Sequence, residues 1–262
     1  MENMTKKNFI LVHGVCHGAW CWYKLATLLR SVGHRVTVLD LAGCGVNTTQ
    51  LDELHTIDDY VKPLMETMAL IPPQEKVVLV GHSFGGFVLS LAMERFTEKI
   101  SVAIFISALM PGLANPPASL MEENLKRNPL DSLSDSKMSF DKGEDKLPTS
   151  FIFGPKYLAS HLYQCCQHED LTLATMLMRP ARLYIEDLSK GGILSDENYG
   201  SINRVYIICK EDLVFKEEFQ RWIIENYPPR EVKEIDGSDH MVMLSKPQEL
   251  RKCLLEIVEK YA

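Results

Sequence analysis

The chain has 262 residues, of which 28 are basic and 35 acidic, for a formal net charge of -7 at pH 7. This balance, without a cluster of Lys or Arg, argues against a nucleic-acid partner, and the 46% of hydrophobic residues excludes a disordered chain. The composition also excludes a collagen-like repeat and a disulfide miniprotein, while the length allows one large domain or nearly two smaller ones.

Two features of the sequence indicate the cellular compartment: the cysteines and the first apolar segment. Seven cysteines are scattered along the chain without CxxC spacing. An odd, unpaired set is typical of reduced thiols, so we expect a cytoplasmic protein. The apolar run FILV near the start is too short for a signal-peptide core or a membrane span, and we therefore expect no membrane partner.

Short apolar strands alternate with amphipathic helices over the first 110 residues. We predict strands at 8–13, 35–41, 76–81 and 100–108, and helices at 19–32, 56–71 and 84–96. Alternation of this kind is typical of an α/β fold, in which a mostly parallel sheet is covered by helices on both faces.

The pattern changes after Pro111. Residues 112–148 are polar and rich in Ser, Asp, Lys and Pro, and residues 151–188 have a helical pattern. Strand patterns return at 204–209 and 231–235, with helices at 215–226 and 247–261. We therefore predict a single domain over residues 1–262, with about six strands and a helical cap, or lid, inserted at 112–190.

A candidate nucleophile follows the strand KVVLVG. His82, Ser83 and Phe84 come next, so residues 81–85 read G-x-S-x-G. Between a strand and a helix, this motif places a serine on a strained turn above the sheet edge, where the helix dipole favours a developing oxyanion. A serine hydroxyl is a weak nucleophile by itself and needs an adjacent base.

His240 is the histidine best placed to be that base. It lies in a loop between the last strand and the final helix, which returns to the edge of the sheet where Ser83 is expected. A carboxylate must orient the imidazole, and Asp212 follows the strand RVYIIC. The adjacent Glu211 is the alternative; Asp212 is preferred because it lies further into the loop. We predict a catalytic triad of Ser83, Asp212 and His240.

The tetrahedral intermediate of acyl transfer needs two backbone N–H groups that point to one spot. We predict that Phe84, the residue after the nucleophile, supplies one of them. Val15, in the glycine-containing loop after the first strand, is predicted to supply the other.

Several long runs carry a family resemblance: FILVHGVCHGAWCWYKL, GHRVTVLDLAGCG, KVVLVGHSFGG, GPKYLASHLYQ and GSDHMVML. Together they resemble the plant methylesterase and hydroxynitrile lyase family of α/β-hydrolases, over nearly the whole chain. Two stretches, MALIPPQEKVVLVGHSFGG and EKISVAIFISALMP, look most like polyneuridine aldehyde esterase. The salicylate-binding methylesterases are similar elsewhere but depart from this chain between 111 and 147.

The resemblance implies a carboxylesterase that hydrolyses the methyl ester of a small apolar or aromatic plant metabolite through an acyl-enzyme. It implies no metal ion and no organic cofactor. An indole alkaloid aldehyde ester is the favoured substrate, followed by loss of carbon dioxide from the acid. Methyl esters of salicylate, jasmonate or indole-acetate are the alternative. The resemblance also implies a homodimer.

Family position further implies a substrate pocket lined by Gly14, His17, Phe151, Phe153, Leu183 and Met241, with more residues between 109 and 133. The lyase branch carries Thr at the position of Gly14 and Lys at the position of Met241, where the Lys binds departing cyanide. A thioether cannot replace that charge, so these positions favour an esterase. A ligand-binding protein with an idle triad is the third hypothesis.

Overall fold

The computed structural model describes residues 6–141, 143 and 148–262 of the chain. Its strands are β1 (Asn8–Val12), β2 (Arg35–Val38), β3 (Val77–Ser83), β4 (Ile100–Ala108), β5 (Lys137–Ser139), β6 (Ser150–Ile152), β7 (Ala181–Arg182), β8 (Arg204–Cys209) and β9 (Glu231–Ile235). Its helices are α1 (Tyr23–Ser31), α2 (Ile57–Leu70), α3 (Gly85–Arg95), α4 (Ala118–Arg127), α5 (Pro155–Tyr157), α6 (His168–Leu177), α7 (Ile185–Leu188), α8 (Glu217–Asn226), α9 (Val242–Ser245) and α10 (Pro247–Tyr261).

Six of the strands form one sheet in the order β2-β1-β3-β4-β8-β9, and every neighbouring pair is parallel. The predicted mostly parallel sheet of about six strands is therefore confirmed. In such a sheet the carboxyl ends of the strands share one edge, and loops from distant parts of the chain meet there.

The central strands are apolar because helices cover both of their faces. Every residue of β3 is buried, and in β4 only Ser101 is partly exposed. α1 packs against α10, and α2 packs against α3. The start of α2 is capped: the Thr56 hydroxyl accepts a hydrogen bond from the Asp59 N–H, and the Asp59 carboxylate accepts one from the Thr56 N–H.

The segment between β4 and β8 contains both helices and strands. We call residues 112–190 the insertion; residues 142 and 144–147 of the predicted cap, and residues 1–5 of the predicted domain, lie outside the described part of the chain. The helical prediction for 151–188 is correct for α5, α6 and α7 but wrong for the short strands β6 and β7, which form an antiparallel sheet with β5. Phe151 pairs with Ala181 across thirty residues, a long-range contact that local sequence pattern does not report.

Charged side chains connect the insertion to the sheet domain. The Lys24 ammonium of α1 forms an ion pair with the buried Asp170 carboxylate of α6, at 2.5 Å, and the Tyr23 hydroxyl donates to the same carboxylate. Farther along, Arg179 donates to the backbone carbonyl of Asn47, and Arg182 donates to that of Leu51. These contacts hold the insertion over the carboxyl edge of the sheet.

All seven cysteines are free thiols. Among the described residues, no helix has both the length and the apolar character needed to cross a bilayer.

The close approach of α3 to the end of β4 gives a stability prediction. A Cβ added at Gly86 would lie 2.3 Å from the Leu109 backbone oxygen, whereas one added at Gly191 would meet nothing within 4 Å. We expect Gly86→Ala to lower the free energy of unfolding by about 1–3 kcal/mol, as overpacked sites do. Gly191→Ala is the matched control, with little change expected, and urea denaturation of both variants measures the difference. Equal stability of the two variants would contradict the packing described here.

Candidate active site

Ser83 lies on a strained turn at the end of β3. Its φ of +56° is in the left-handed region, which costs a non-glycine residue roughly 1–3 kcal/mol. The turn is locked by its surroundings: the Leu109 N–H donates to the Ser83 carbonyl at 3.0 Å. A Cβ at Gly85 would lie 2.8 Å from the His13 carbonyl oxygen, so only glycine lets α3 start this close to β1. The motif thus lifts the serine side chain above the sheet edge.

Asp212 and His240 are in direct contact. His240 Nδ1 lies 2.6 Å from Asp212 Oδ2, and both side chains are buried. The carboxylate has three further donors: the backbone N–H groups of Val214 and Phe215 to Oδ1, and the Ser107 hydroxyl to Oδ2. Because it accepts all of these, Asp212 is held as an acceptor and fixes the His240 ring with Nδ1 as the donor and Nε2 free.

The neighbouring carboxylates have different surroundings. Glu211 is exposed, so of the two residues left open by the sequence, only Asp212 contacts His240. Asp239 is buried but accepts from the Cys165 N–H, the Met241 N–H and the Ser245 hydroxyl, which join the insertion to the loop before α9. Burial raises the pKa of the Asp239 carboxyl.

His82 also positions the His240 loop, a role that the sequence patterns did not reveal. Its Nε2 lies 2.7 Å from the His240 carbonyl oxygen, and the two rings are 4.5 Å apart. A carbonyl only accepts, so His82 Nε2 carries the proton; burial lowers the pKa of His82 well below its usual range and keeps the ring neutral. The His82 side chain, next to Ser83 in the chain, therefore ties β3 to the loop that carries His240.

The loop after β1 lies against Ser83. A Cβ at Gly14 would lie 2.9 Å from Ser83 Cβ, so the loop and the serine are in contact. Within the described part of the chain, the backbone N–H groups of Val15 and Phe84 have no hydrogen-bond partner, and both residues line a cavity together with Ser83. Two unpaired donors beside a strained serine are what a developing oxyanion requires.

Two buried histidines shape this loop. His13 Nδ1 donates to the Gly14 carbonyl, and its Nε2 accepts from the Leu41 N–H. His17 Nδ1 donates to the Val15 carbonyl, and its Nε2 accepts from the Tyr163 hydroxyl. Burial lowers the pKa of His17 to about 3, so the ring stays neutral at physiological pH. Both rings therefore hold backbone carbonyl groups of the loop after β1 in place.

The cavity beside Ser83 is mostly apolar. Apolar side chains of the insertion form much of its wall: Met121, Leu125, Leu133, Met138, Phe151 and Phe153. Of the residues predicted to bind substrate, Phe151, Phe153 and Leu183 line the cavity. Gly14, His17 and Met241 are not among its lining residues: Gly14 has no side chain and lies against Ser83, and the side chains of His17 and Met241 are buried.

Three polar side chains that were not individually predicted also line the cavity: Asn124, Asn128 and Tyr157. Asn124 and Asn128 lie within residues 109–133, where the resemblance implies further pocket residues, and Tyr157 lies in the run GPKYLASHLYQ. In the described residues, no group of three or more His, Cys, Asp or Glu side chains is arranged to hold a metal ion.

Comparison with known proteins gives a consistent set of matches. The sequence profile of the alpha/beta hydrolase family matches residues 9–252. Methyl jasmonate esterase 1 of Vitis vinifera is 52% identical over 258 residues, 98% of this chain and 98% of that protein. Norfluorocurarine synthase 1 of a Strychnos species is 51% identical over 256 residues, 97% of this chain and 96% of that protein.

Solved structures agree with these matches. A crystal structure of polyneuridine aldehyde esterase superposes with a TM-score of 0.92 at 51% identity, covering 97% of this chain and 100% of that chain. Tomato methylketone synthase I, complexed with 2-tridecanone, superposes with a TM-score of 0.90 at 47% identity, covering 99% of this chain and 100% of that chain.

The buried His17 gives a prediction about acid stability. Its pKa is about 3 when folded and near the ordinary ~6.5 when unfolded, so between these values the unfolded state binds more protons. The free energy of unfolding therefore decreases as the pH falls below about 6.5, by at most ~1.4 kcal/mol per pH unit for this one group. We expect His17→Gln to reduce the stability loss between pH 7 and pH 5, measured by urea denaturation. An unchanged pH dependence in the variant would contradict the assignment.

Proposed function

The chain belongs to the alpha/beta hydrolase family and is a carboxylic ester hydrolase, and we propose that it cleaves methyl esters with Ser83, Asp212 and His240 as its catalytic triad. The observation that carries the proposal is the contact of 2.6 Å between His240 Nδ1 and the buried Asp212 carboxylate, beside the strained Ser83 turn. The methylesterase relatives support the same reaction class.

The reaction proceeds in two acyl transfers. His240 Nε2 takes the proton of the Ser83 hydroxyl as the serine oxygen attacks the ester carbonyl, and a tetrahedral oxyanion forms. The intermediate collapses, the proton passes from His240 to the leaving methoxy group, and methanol departs from an acyl-enzyme. His240 then takes a proton from water, the hydroxide attacks the acyl carbon, and the acid is released with the proton returned to Ser83.

The remaining residues of the site have supporting roles. The Val15 and Phe84 N–H groups receive the oxyanion, since both are unpaired and both border the cavity among the described residues. Asp212 keeps the His240 proton on Nδ1, which leaves Nε2 with a lone pair for the base step. Residues 112–190 form a cap whose side chains complete the cavity wall.

The substrate is a small methyl ester with an apolar or aromatic acyl group. The apolar wall and its Phe side chains support this class. An indole alkaloid aldehyde ester is favoured, in line with the names of the polyneuridine aldehyde esterase and norfluorocurarine synthase relatives. An acid with an aldehyde at the β position loses carbon dioxide readily, so decarboxylation follows. A hormone-type ester is the second candidate, supported by methyl jasmonate esterase 1.

Cyanohydrin cleavage, the lyase alternative, is disfavoured by two positions. Met241 is fully buried and uncharged, so it offers no cation for a departing cyanide. Gly14 lies so close to Ser83 that a larger side chain would crowd the oxyanion site. We assign the enzyme to the cytoplasm because its seven thiols are unpaired, and we retain a homodimer from the family resemblance.

Removal of the nucleophile or of the orienting carboxylate tests the triad. We expect Ser83→Ala and Asp212→Asn each to lower kcat at least ~1000-fold, because the triad acts as a unit. Methanol release from a panel of methyl esters, including methyl jasmonate and an indole alkaloid aldehyde ester, measures the loss. Ser31→Ala, an exposed serine at the end of α1, is the matched control. Substantial turnover by Ser83→Ala would overturn the proposal.

The hydrogen bond from His82 to the His240 carbonyl gives a second test. We expect His82→Leu to lower kcat about tenfold with little change in KM, since the loss of one hydrogen bond frees the His240 loop. His34→Leu removes another buried histidine far from the site and serves as the control for a general loss of stability. If both variants lose kcat equally, His82 has no positioning role.

A further inference from the structure

The hydroxyl of Tyr157 is a polar group in the cavity that the protein itself does not satisfy. Tyr157 is only 4% exposed and borders the cavity with Ser83. No hydrogen bond joins its hydroxyl to a side chain or backbone group in the described part of the chain, and, unlike the Tyr184 oxygen, its oxygen is not fully enclosed by protein atoms. A tyrosine hydroxyl without a protein partner in the wall of a cavity is available to a ligand.

The ring is held in place by packing and not by its hydroxyl. The Tyr157 ring stacks on the His161 ring, with 4.4 Å between centroids, and on the Phe153 ring, with 5.8 Å between centroids, and is nearly parallel to both. The Tyr157 backbone N–H donates to the Asp135 carboxylate at 3.1 Å, which fixes the start of α5. The hydroxyl therefore has a defined position, with only rotation about its C–O bond left free.

The surroundings of the hydroxyl place it toward the triad and keep it a donor. Burial and the negative charge of Asp212 raise the pKa of Tyr157 to about 12, so the phenol stays protonated at physiological pH. The other two polar side chains of the cavity wall bond to each other: the Asn128 amide donates to the Asn124 side-chain oxygen at 3.0 Å. Tyr157 is thus a protonated side-chain donor in the cavity wall that no protein group occupies among the described residues.

We propose that the Tyr157 hydroxyl donates a hydrogen bond to an acceptor oxygen on the acyl group of the substrate, close to the ester, and so selects oxygenated acyl groups over plain hydrocarbon ones. The proposal rests on the esterase function proposed above. A plain acyl chain leaves the buried hydroxyl unpaired, whereas a keto or hydroxyl oxygen satisfies it. Sites built to bond a substrate oxygen discriminate strongly against analogues that lack it.

Matched esters test this role. The wild type and Tyr157→Phe are assayed with methyl hexanoate, methyl 3-oxohexanoate and methyl 3-hydroxyhexanoate, by methanol release. We expect Tyr157→Phe to lower kcat/KM about tenfold for one or both oxygenated esters, the ratio that one lost hydrogen bond gives, and to leave methyl hexanoate nearly unchanged. Equal effects on all three esters, or no effect on any, would overturn the proposal.

Tyr184→Phe is the matched control. The Tyr184 hydroxyl is unpaired within the described residues too, but it is fully buried and Tyr184 does not border the cavity, so its removal should not discriminate between the esters. Discrimination by both variants would overturn the role of Tyr157. A wild type that hydrolyses no methyl ester overturns the esterase function together with this proposal. A wild type that hydrolyses all three, without discrimination by Tyr157→Phe, overturns this proposal alone.

Discussion

The left-handed turn at Ser83 is the constraint on which the rest of the site depends. A non-glycine residue holds such a conformation only where its neighbours leave no alternative. Here the neighbours are backbone: the Leu109 N–H bonds the Ser83 carbonyl, and Gly85 lies against the His13 carbonyl. Leu109 follows β4 and His13 follows β1, the two strands that flank β3. The strained conformation of Ser83 is therefore supported by the parallel sheet and not by the turn alone.

Neutral buried histidines surround the one histidine assigned to catalysis. His13 and His17 hold the backbone of the loop after β1, and His82 holds the carbonyl of His240. Burial lowers the pKa of all three, so each presents a fixed donor at physiological pH. Imidazole suits this role because a neutral ring donates from one nitrogen and can accept at the other.

The sheet could be read from the sequence because its signals are local, and the residues proposed as the triad rest on local signals as well. β4, β8 and β9 have the predicted bounds, and the order of Ser83, Asp212 and His240 follows from which loop succeeds which strand. The insertion could not be read in the same way. Its strands β5, β6 and β7 exist only by pairing with one another over long separations in the chain. The position of Tyr157 in the cavity wall likewise depends on the stacking of its ring on those of Phe153 and His161. Whether a side chain such as Met241 borders a cavity or lies beneath it is set by packing alone.

The anchors of the insertion have an evolutionary consequence. Arg179 and Arg182 donate hydrogen bonds to the loop after β2, at the main-chain oxygens of Asn47 and Leu51 and not at side chains. Every residue type offers the same main-chain oxygen, so the contact with the insertion depends on the path of this backbone and not on which residues stand at 47 and 51. That path is fixed within the loop by the Asn47 side chain, which accepts from the Gly43 and Thr49 N–H groups. A change in loop length would move the oxygens out of reach, so the length of this loop and the position of the insertion must evolve together.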